Sequence, residues 1–239
     1  MEPSNICELR AVIKRGLLAE ADPAYLKSIT SLVPSNAPVM GVRVPKIRQW
    51  VRDFCQANPD LTLHQSIGLL DLAFVDNVRE EVLFGILLLG KFEKALPPRL
   101  WQTIDRWVAK LENWESCDQL AMNVAASMVA KNLDLVDDLV TWAGAPQLWR
   151  RRFAIAIGTT LNQKGRSFPE HTLRICSEAM TDEEPMVQKA VGWALREASR
   201  KNPDLVFGFL HQWKPKISRR LLRESAQKLN DSQRADLLE

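Results

Sequence analysis

Apolar residues recur three and four positions apart along almost the whole chain, and strand-like alternation bounded by turn residues is scarce. That period is the one an α-helix needs to bury one face, so the chain can only fold as an all-α protein. It predicts helices over residues 5–19, 22–31, 45–57, 62–73, 76–94, 98–111, 115–131, 133–143, 146–161, 169–180, 185–201, 204–213, 215–229 and 231–238. Prolines in PKIRQW, PPRLWQ, PQLWRR and PMVQKA stand where a first helical turn needs no N–H. The links are short, and short links force neighbouring helices to run roughly antiparallel.

A faint internal echo points to repetition. ANPDL at 57–61, KNLDL at 131–135 and KNPDL at 201–205 each close one apolar helix and open another, with asparagines 74 and then 70 residues apart. Each offset is twice a unit of roughly 35 to 40 residues, within the range of helical solenoid repeats. The expected architecture is therefore a superhelical stack of antiparallel helix pairs of the HEAT type, an α-solenoid, with residues 1–239 as one domain. A conventional helical bundle is the structural alternative. A stack of this kind offers one layer of helices as an extended concave surface, suited to a rod-like partner such as duplex nucleic acid.

Several classes of function lose their support. The longest apolar run, VLFGILLLG at 82–90, is too short to cross a bilayer, and MEPSNICELR lacks a basic segment followed by an apolar one, so a cytoplasmic protein is expected. Cys7, Cys55, Cys117 and Cys176 show no CxxC, and His64, His171 and His211 have no ligand spacing, so neither a metal nor any other cofactor is expected. There is no glycine-rich phosphate loop, HExxH or GxSxG. Charge is uneven: residues 1–139 hold 15 Lys and Arg against 18 Asp and Glu, whereas residues 140–239 hold 17 against 11. The basic stretches WRRRFA and KPKISRRLLRE suit a polyanion, and equally suit a solvated helical face.

Three stretches could carry chemistry. In NWESCDQLA, Trp114 and Asp118 lie four apart and so share a helix face; a core tryptophan with an aspartate favouring the helix start fits the same spacing. In QKAVGWALREASRKNPDL, Trp193 follows Gly192 and precedes Arg196 by three. Gly192 costs about 1 kcal/mol of helix propensity against alanine, which implies a packing reason such as a neighbour's close approach. In LWRRRFAIAIG, Arg150, Arg151 and Arg152 are consecutive and must point in three directions.

Taken in order, VMGVRVPKIRQW, NWESCDQL, LWRRRFAIA and VQKAVGWALREASRKNPDLV resemble the AlkD-like DNA alkylation repair family, over about residues 40–225. The resemblance implies a HEAT-like DNA glycosylase that removes N-alkylated purines such as 3-methyladenine and 7-methylguanine from duplex DNA. It places the family's catalytic aspartate on Asp118, its active-site tryptophans on Trp114 and Trp193, and its cleft arginine on Arg152. The family often has a second aromatic just before the first tryptophan, where this chain has Asn113, and Arg43 and Val44 differ from the polar pair expected in its duplex-contacting loop.

These residue types suit that reaction. A purine alkylated at N3 or N7 is already cationic, so it can leave as a neutral base without a general acid. Positive charge then develops on the sugar, where a carboxylate stabilises it and can orient water. Indole faces attract cations and pack against a nucleotide, and an arginine helps keep the carboxylate ionised while holding a phosphate. Phosphate contacts are expected from Arg43, Arg48, Lys164, Arg196 and Arg219, with surface charge as the alternative for each. No lysine stands out as an imine-forming nucleophile, so a monofunctional enzyme is expected; separately, a monomer is expected. The competing readings are a non-catalytic repeat protein that binds branched or distorted DNA, and a protein-interaction scaffold.

Overall fold

The computed structural model describes residues 3–33 and 35–239. Among them every regular element is helical, and the chain divides into two compact units, residues 1–124 and 125–239. The first unit contains α1 (Pro3–Ala19), α2 (Pro23–Leu32), α3 (Val44–Ala57), α4 (Leu63–Asp76), α5 (Arg79–Leu89), α6 (Leu100–Val108) and α7 (Trp114–Leu120). The second contains α8 (Ala126–Lys131), α9 (Leu135–Ala143), α10 (Leu148–Thr160), α11 (Pro169–Ser177), α12 (Pro185–Ser199), α13 (Pro203–Trp213), α14 (Arg219–Ser225) and α15 (Asp231–Leu238).

In the first unit α5 is the hub. All eleven of its residues are buried, the apolar run Val82–Leu89 behind a charged first turn, and α3, α4 and α7 pack around it. Leu83, Phe84, Leu87 and Leu88 meet Ile47, Val51 and Phe54 of α3, and the Phe54 and Phe84 rings cross edge to face with centroids 5.5 Å apart. Only Asn77 and Val78 join α4 to α5, and Asn77 takes the left-handed conformation (φ 51°) that reverses the chain at a helix end. In the second unit α10 and α12 form the centre. Phe153, Ile155 and Ile157 on one and Val187, Val191 and Leu195 on the other have no accessible surface.

The three junction echoes are helix junctions in the structure. Asn58 closes α3 with its side-chain amide donating to the Phe54 carbonyl (2.8 Å). Asn132 closes α8 and accepts from the Asp134 N–H (3.2 Å), and Asn202 caps α13 by accepting from Leu205 (3.1 Å). Some boundaries differ from expectation. Pro45 and Pro185 occupy the first turns of α3 and α12, but Pro98 and Pro146 precede their helices, leaving Arg99 and Gln147 as the caps. The helix expected over 115–131 is interrupted by a π turn at Ala121–Ala125, which no hydrophobic period announces. The stretch 76–94 contains the Asn77 reversal and ends as α5 at Leu89, followed by a 3₁₀ turn over Gly90–Phe92.

Burial sorts the four thiols. Cys117 and Cys176 are buried, Cys55 is intermediate and Cys7 exposed. Burial alone pushes the Cys176 thiol up to about 12, and it raises Cys55 against a smaller opposing pull from Lys91. Because only the thiolate attacks, iodoacetamide at neutral pH should modify Cys7 first and Cys55 more slowly. Cys117 and Cys176 should react only after denaturation. Peptide mass mapping over time checks the order, and early labelling of Cys176 would mean that α11 opens in the native state.

Candidate functional site

The helix that carries Trp114 and Asp118 is held from below by charge. Arg79, Glu80 and Glu81 open α5 as three consecutive buried ionisable residues. The Arg79 guanidinium grips Glu115 of α7 in a two-pronged pair, Nε to Oε2 at 2.7 Å and Nη2 to Oε1 at 2.9 Å. Its remaining nitrogen Nη1 donates to Glu80 (2.8 Å) and to the Val42 carbonyl (3.1 Å). Burial works against the Arg79 charge, but the hydrogen bonds and charges of Glu115 and Glu80 more than offset it, so its pKa lies above the ordinary arginine value.

Glu80 in turn accepts the N–H groups of Met40, Gly41 and Val42 at 2.8, 3.0 and 3.1 Å. These bonds fix the loop that leads into α3. Gly41 sits there at φ 85°, and a Cβ would come within 2.9 Å of the Asp22 carbonyl and the Leu26 side chain. The glycine of VMGVRVPK is therefore required by the fold of the loop. Arg43, at the N-cap of α3, folds back over the Tyr25 ring (4.4 Å) and reaches Asp22 at 3.4 Å.

On α7 itself, Asn113 takes the N-cap position and accepts from the Ser116 N–H (2.9 Å). Asn113 thereby starts the helix. Trp114 is half-buried, and its indole N–H donates to the Leu32 carbonyl at the end of α2 (3.2 Å), a group the helix cannot satisfy itself. Asp118, one turn on, retains 8% of its surface. Gln119 accepts from Arg48 of α3 (3.0 Å) and from Asn123 (3.0 Å).

The second unit holds Arg152 and Trp193. The three arginines of α10 do diverge: Arg150 lies 5.0 Å over the Trp142 ring, Arg151 pairs with Asp182 (2.6 Å), and Arg152 turns inward to donate to the Met186 carbonyl (2.5 Å). Met186 and Trp193 are seven residues apart on α12, so they share a face about 10 Å apart along the axis. Trp193 lines a cavity of about 420 Å³ with Gln188, Lys189, Arg196, Arg220 and Glu224. Glu224 of α14 pairs with Arg196 and lies against Gly192, where any Cβ would overlap its side chain. That is the close approach the sequence implied.

The structure thus places Trp114 and Asp118 on α7, Trp193 on α12, and Arg152 on α10 with its guanidinium on the Met186 carbonyl of α12. Of the expected phosphate contacts, Arg48 and Lys164 are exposed, and Lys164 stands at φ 52° beside Gly165. Arg196 is engaged by Glu224, and Arg219 donates to the Leu238 carbonyl (2.5 Å) at the end of α15. Sequence reasoning missed Arg79, Glu80, Glu115 and Glu224. The one signal for the first two was a run of three charges, NVREEV, entering the most apolar stretch of the chain.

The chain as a whole matches a known family. The chain belongs to the DNA alkylation repair enzymes, whose family pattern matches residues 13–229. Among solved structures it is similar to an Enterococcus faecalis protein described as a predicted DNA alkylation repair enzyme, with TM-score 0.76 and 19% identity over 89% of this chain and 98% of that one. It is also similar to AlkD2 from Streptococcus mutans, with TM-score 0.60 and 21% identity over 79% and 91%. A third likeness is to smu.31 of Streptococcus mutans, with TM-score 0.61 and 20% identity over 93% and 100%. None of the curated proteins matches the sequence.

Two substitutions test the supports. Arg79→Met should cost about 3–5 kcal/mol, because it leaves Glu80 and Glu115 buried without their cation. Gly192→Ala gains about 1 kcal/mol of helix propensity but loses about 1–3 kcal/mol to overpacking against Glu224, for a small net loss. Urea midpoints measure both; a neutral Arg79→Met would show that the network does not hold α7.

Proposed function

We propose that this chain is a monofunctional DNA glycosylase that hydrolyses the N-glycosidic bond of cationic N3- or N7-alkylated purines in duplex DNA. The observation that carries the reading is Asp118, a carboxylate retaining 8% of its surface, one turn beyond a half-buried Trp114 on the same helix face. Membership of the DNA alkylation repair enzymes supports it.

The C1′–N bond breaks heterolytically, its electron pair passing to the ring nitrogen, which neutralises the purine's positive charge. The base therefore leaves without being protonated. The cation that remains on the sugar faces the Asp118 carboxylate, which lowers the barrier most where water is largely excluded. The same carboxylate orients the water that adds to C1′ and takes up its proton. Trp114 supplies an aromatic wall against the nucleotide. In the second unit we propose Trp193 as an aromatic contact and Arg152 as a phosphate contact for DNA. The products are the free alkylated base and an intact strand with an abasic deoxyribose.

The test is release of 7-methylguanine from an alkylated duplex, measured by chromatography with strand integrity followed in parallel. Wild type should release base and leave the strand uncut. Asp118→Asn should slow release by about 10²–10³-fold, a magnitude typical of losing one transition-state charge partner. It should bind duplex as well as wild type or better, since a charge repelling phosphate has gone. Tight binding by wild type with no release would point instead to a non-catalytic DNA-binding protein.

A further inference from the structure

A basic depression lies in the first unit, between α3 and the 3₁₀ turn that follows α5. It measures about 170 Å³ and is lined by Arg48 and Arg52 of α3, Lys91 of the 3₁₀ turn, Gly90 and Asn123, with Val51 and Leu87 as its apolar floor. Its lining contains three cations and no carboxylate. Several other cations of the same unit are answered by acids: Arg10 by Asp76 and Glu81, Lys14 by Glu81, Arg43 by Asp22, Lys46 by Glu20 and Arg79 by Glu115. Three like charges brought together without an acid repel one another, and an apolar floor strengthens that repulsion. Such an arrangement is relieved by an anion.

The depression is also built. Arg48 is held by Gln119, and Gln119 is itself fixed by the Asn123 amide, which donates to its side-chain oxygen (3.0 Å) and its carbonyl (2.8 Å). Arg52 is steadied by Gln49. Gly90 lets the turn carrying Lys91 approach Asn123, whose backbone and Cβ would stand 3.2 Å from any added Cβ. A guanidinium has five N–H donors, so the anchored arginines keep donors for a ligand.

We infer that Arg48, Arg52 and Lys91 form a seat for one phosphodiester of duplex DNA, set by Gln119 and Asn123 beside the helix that carries Asp118. The inference rests on the proposed function for its choice of ligand and goes beyond it in naming Arg52 and Lys91 as anchors and Gln119 as a positioning residue. A strand held here passes along α7, so the seat fixes the register in which a damaged nucleotide meets Asp118. It reads no sequence.

The experiment measures affinity for an undamaged duplex from low to moderate salt by fluorescence anisotropy, for wild type, Arg52→Gln/Lys91→Gln, and Lys201→Gln as a control at an exposed cation of the second unit. All three positions are exposed, so the variants should melt like wild type. The slope of log K against log salt is about 0.9 for each phosphate neutralised, so losing the one phosphodiester seated here should make the double variant shallower by about 0.9 and roughly 8-fold weaker at 0.1 M salt. Lys201→Gln should be near wild type. An unchanged slope in the double variant overturns the seat. Displacement of DNA from wild type by low-millimolar inorganic phosphate at matched ionic strength, with no slope change in the variant, would assign the pocket to a free anion and also overturn it. Base release from an alkylated duplex is scored separately. Release by wild type with an unchanged slope refutes the seat alone, a reduced slope without release refutes only the glycosylase reading, and wild type that binds no duplex refutes both.

Discussion

The first unit depends on one buried cation. Arg79 carries a charge into the interior that Glu80 and Glu115 answer, and removing it would leave both carboxyl groups buried without a cation. The consequence is geometric rather than merely energetic. Glu80 has both oxygens on the N–H groups of residues 40–42, Arg79 takes the carbonyl of Val42, and Glu115 belongs to α7. Satisfying this one cluster fixes the loop before α3, the start of α5 and the first turn of α7 relative to one another. An apolar contact of equal area could slide by a fraction of an ångström, whereas a two-pronged guanidinium–carboxylate pair tolerates little displacement. A helix required to hold a carboxylate at a fixed place gains from being mounted this way.

The second unit reaches a similar end with smaller side chains. The Ala and Gly content of α12 lets α10 and α14 come close, and each approach delivers a polar group: Arg152 to the Met186 carbonyl, Glu224 to Arg196 across Gly192. Gly192 sacrifices helix propensity so that a carboxylate stem can lie against the backbone. The glycine beside Trp193 therefore shapes the wall of the cavity that the indole lines.

The helices, their junction asparagines and the reason for Gly192 were legible in the sequence because each has a local cause: a period, a cap, a missing side chain. The charged cluster was not. Acids in a first turn are ordinary, so REE at 79–81 carries no local sign of burial, and nothing local says that Glu115, thirty-six residues away, will meet Arg79. The π turn after Leu120 was invisible for a related reason, because one extra residue in a turn shifts the helix face without altering composition. The placement of Trp114 and Asp118 on one helix followed from spacing alone. That Trp114 also closes the end of α2 did not, because its partner is a backbone carbonyl and carries no side-chain signature.

Pairing separates a count of charges from the charge left available at the surface. A net charge of +3 is small, and the basic excess of residues 140–239 does not measure what is available to a phosphate. Arg151 is spent on Asp182, Arg196 on Glu224, Arg174 on Asp137 and Arg219 on a helix end. Conversely the nominally acidic stretch 1–139 contains a place where three cations meet no acid, because its carboxylates are drawn into pairs elsewhere: Glu80, Glu81 and Glu115 inside, Asp22 and Glu20 at the surface. A phosphate responds to the local imbalance within about a Debye length, roughly 8 Å in physiological salt, and hardly at all to the sum over the chain. Burying carboxylates against Arg79 and Arg10 therefore has an electrostatic by-product. It withdraws negative charge from the surface of the first unit and leaves Arg48, Arg52 and Lys91 uncompensated beside α7.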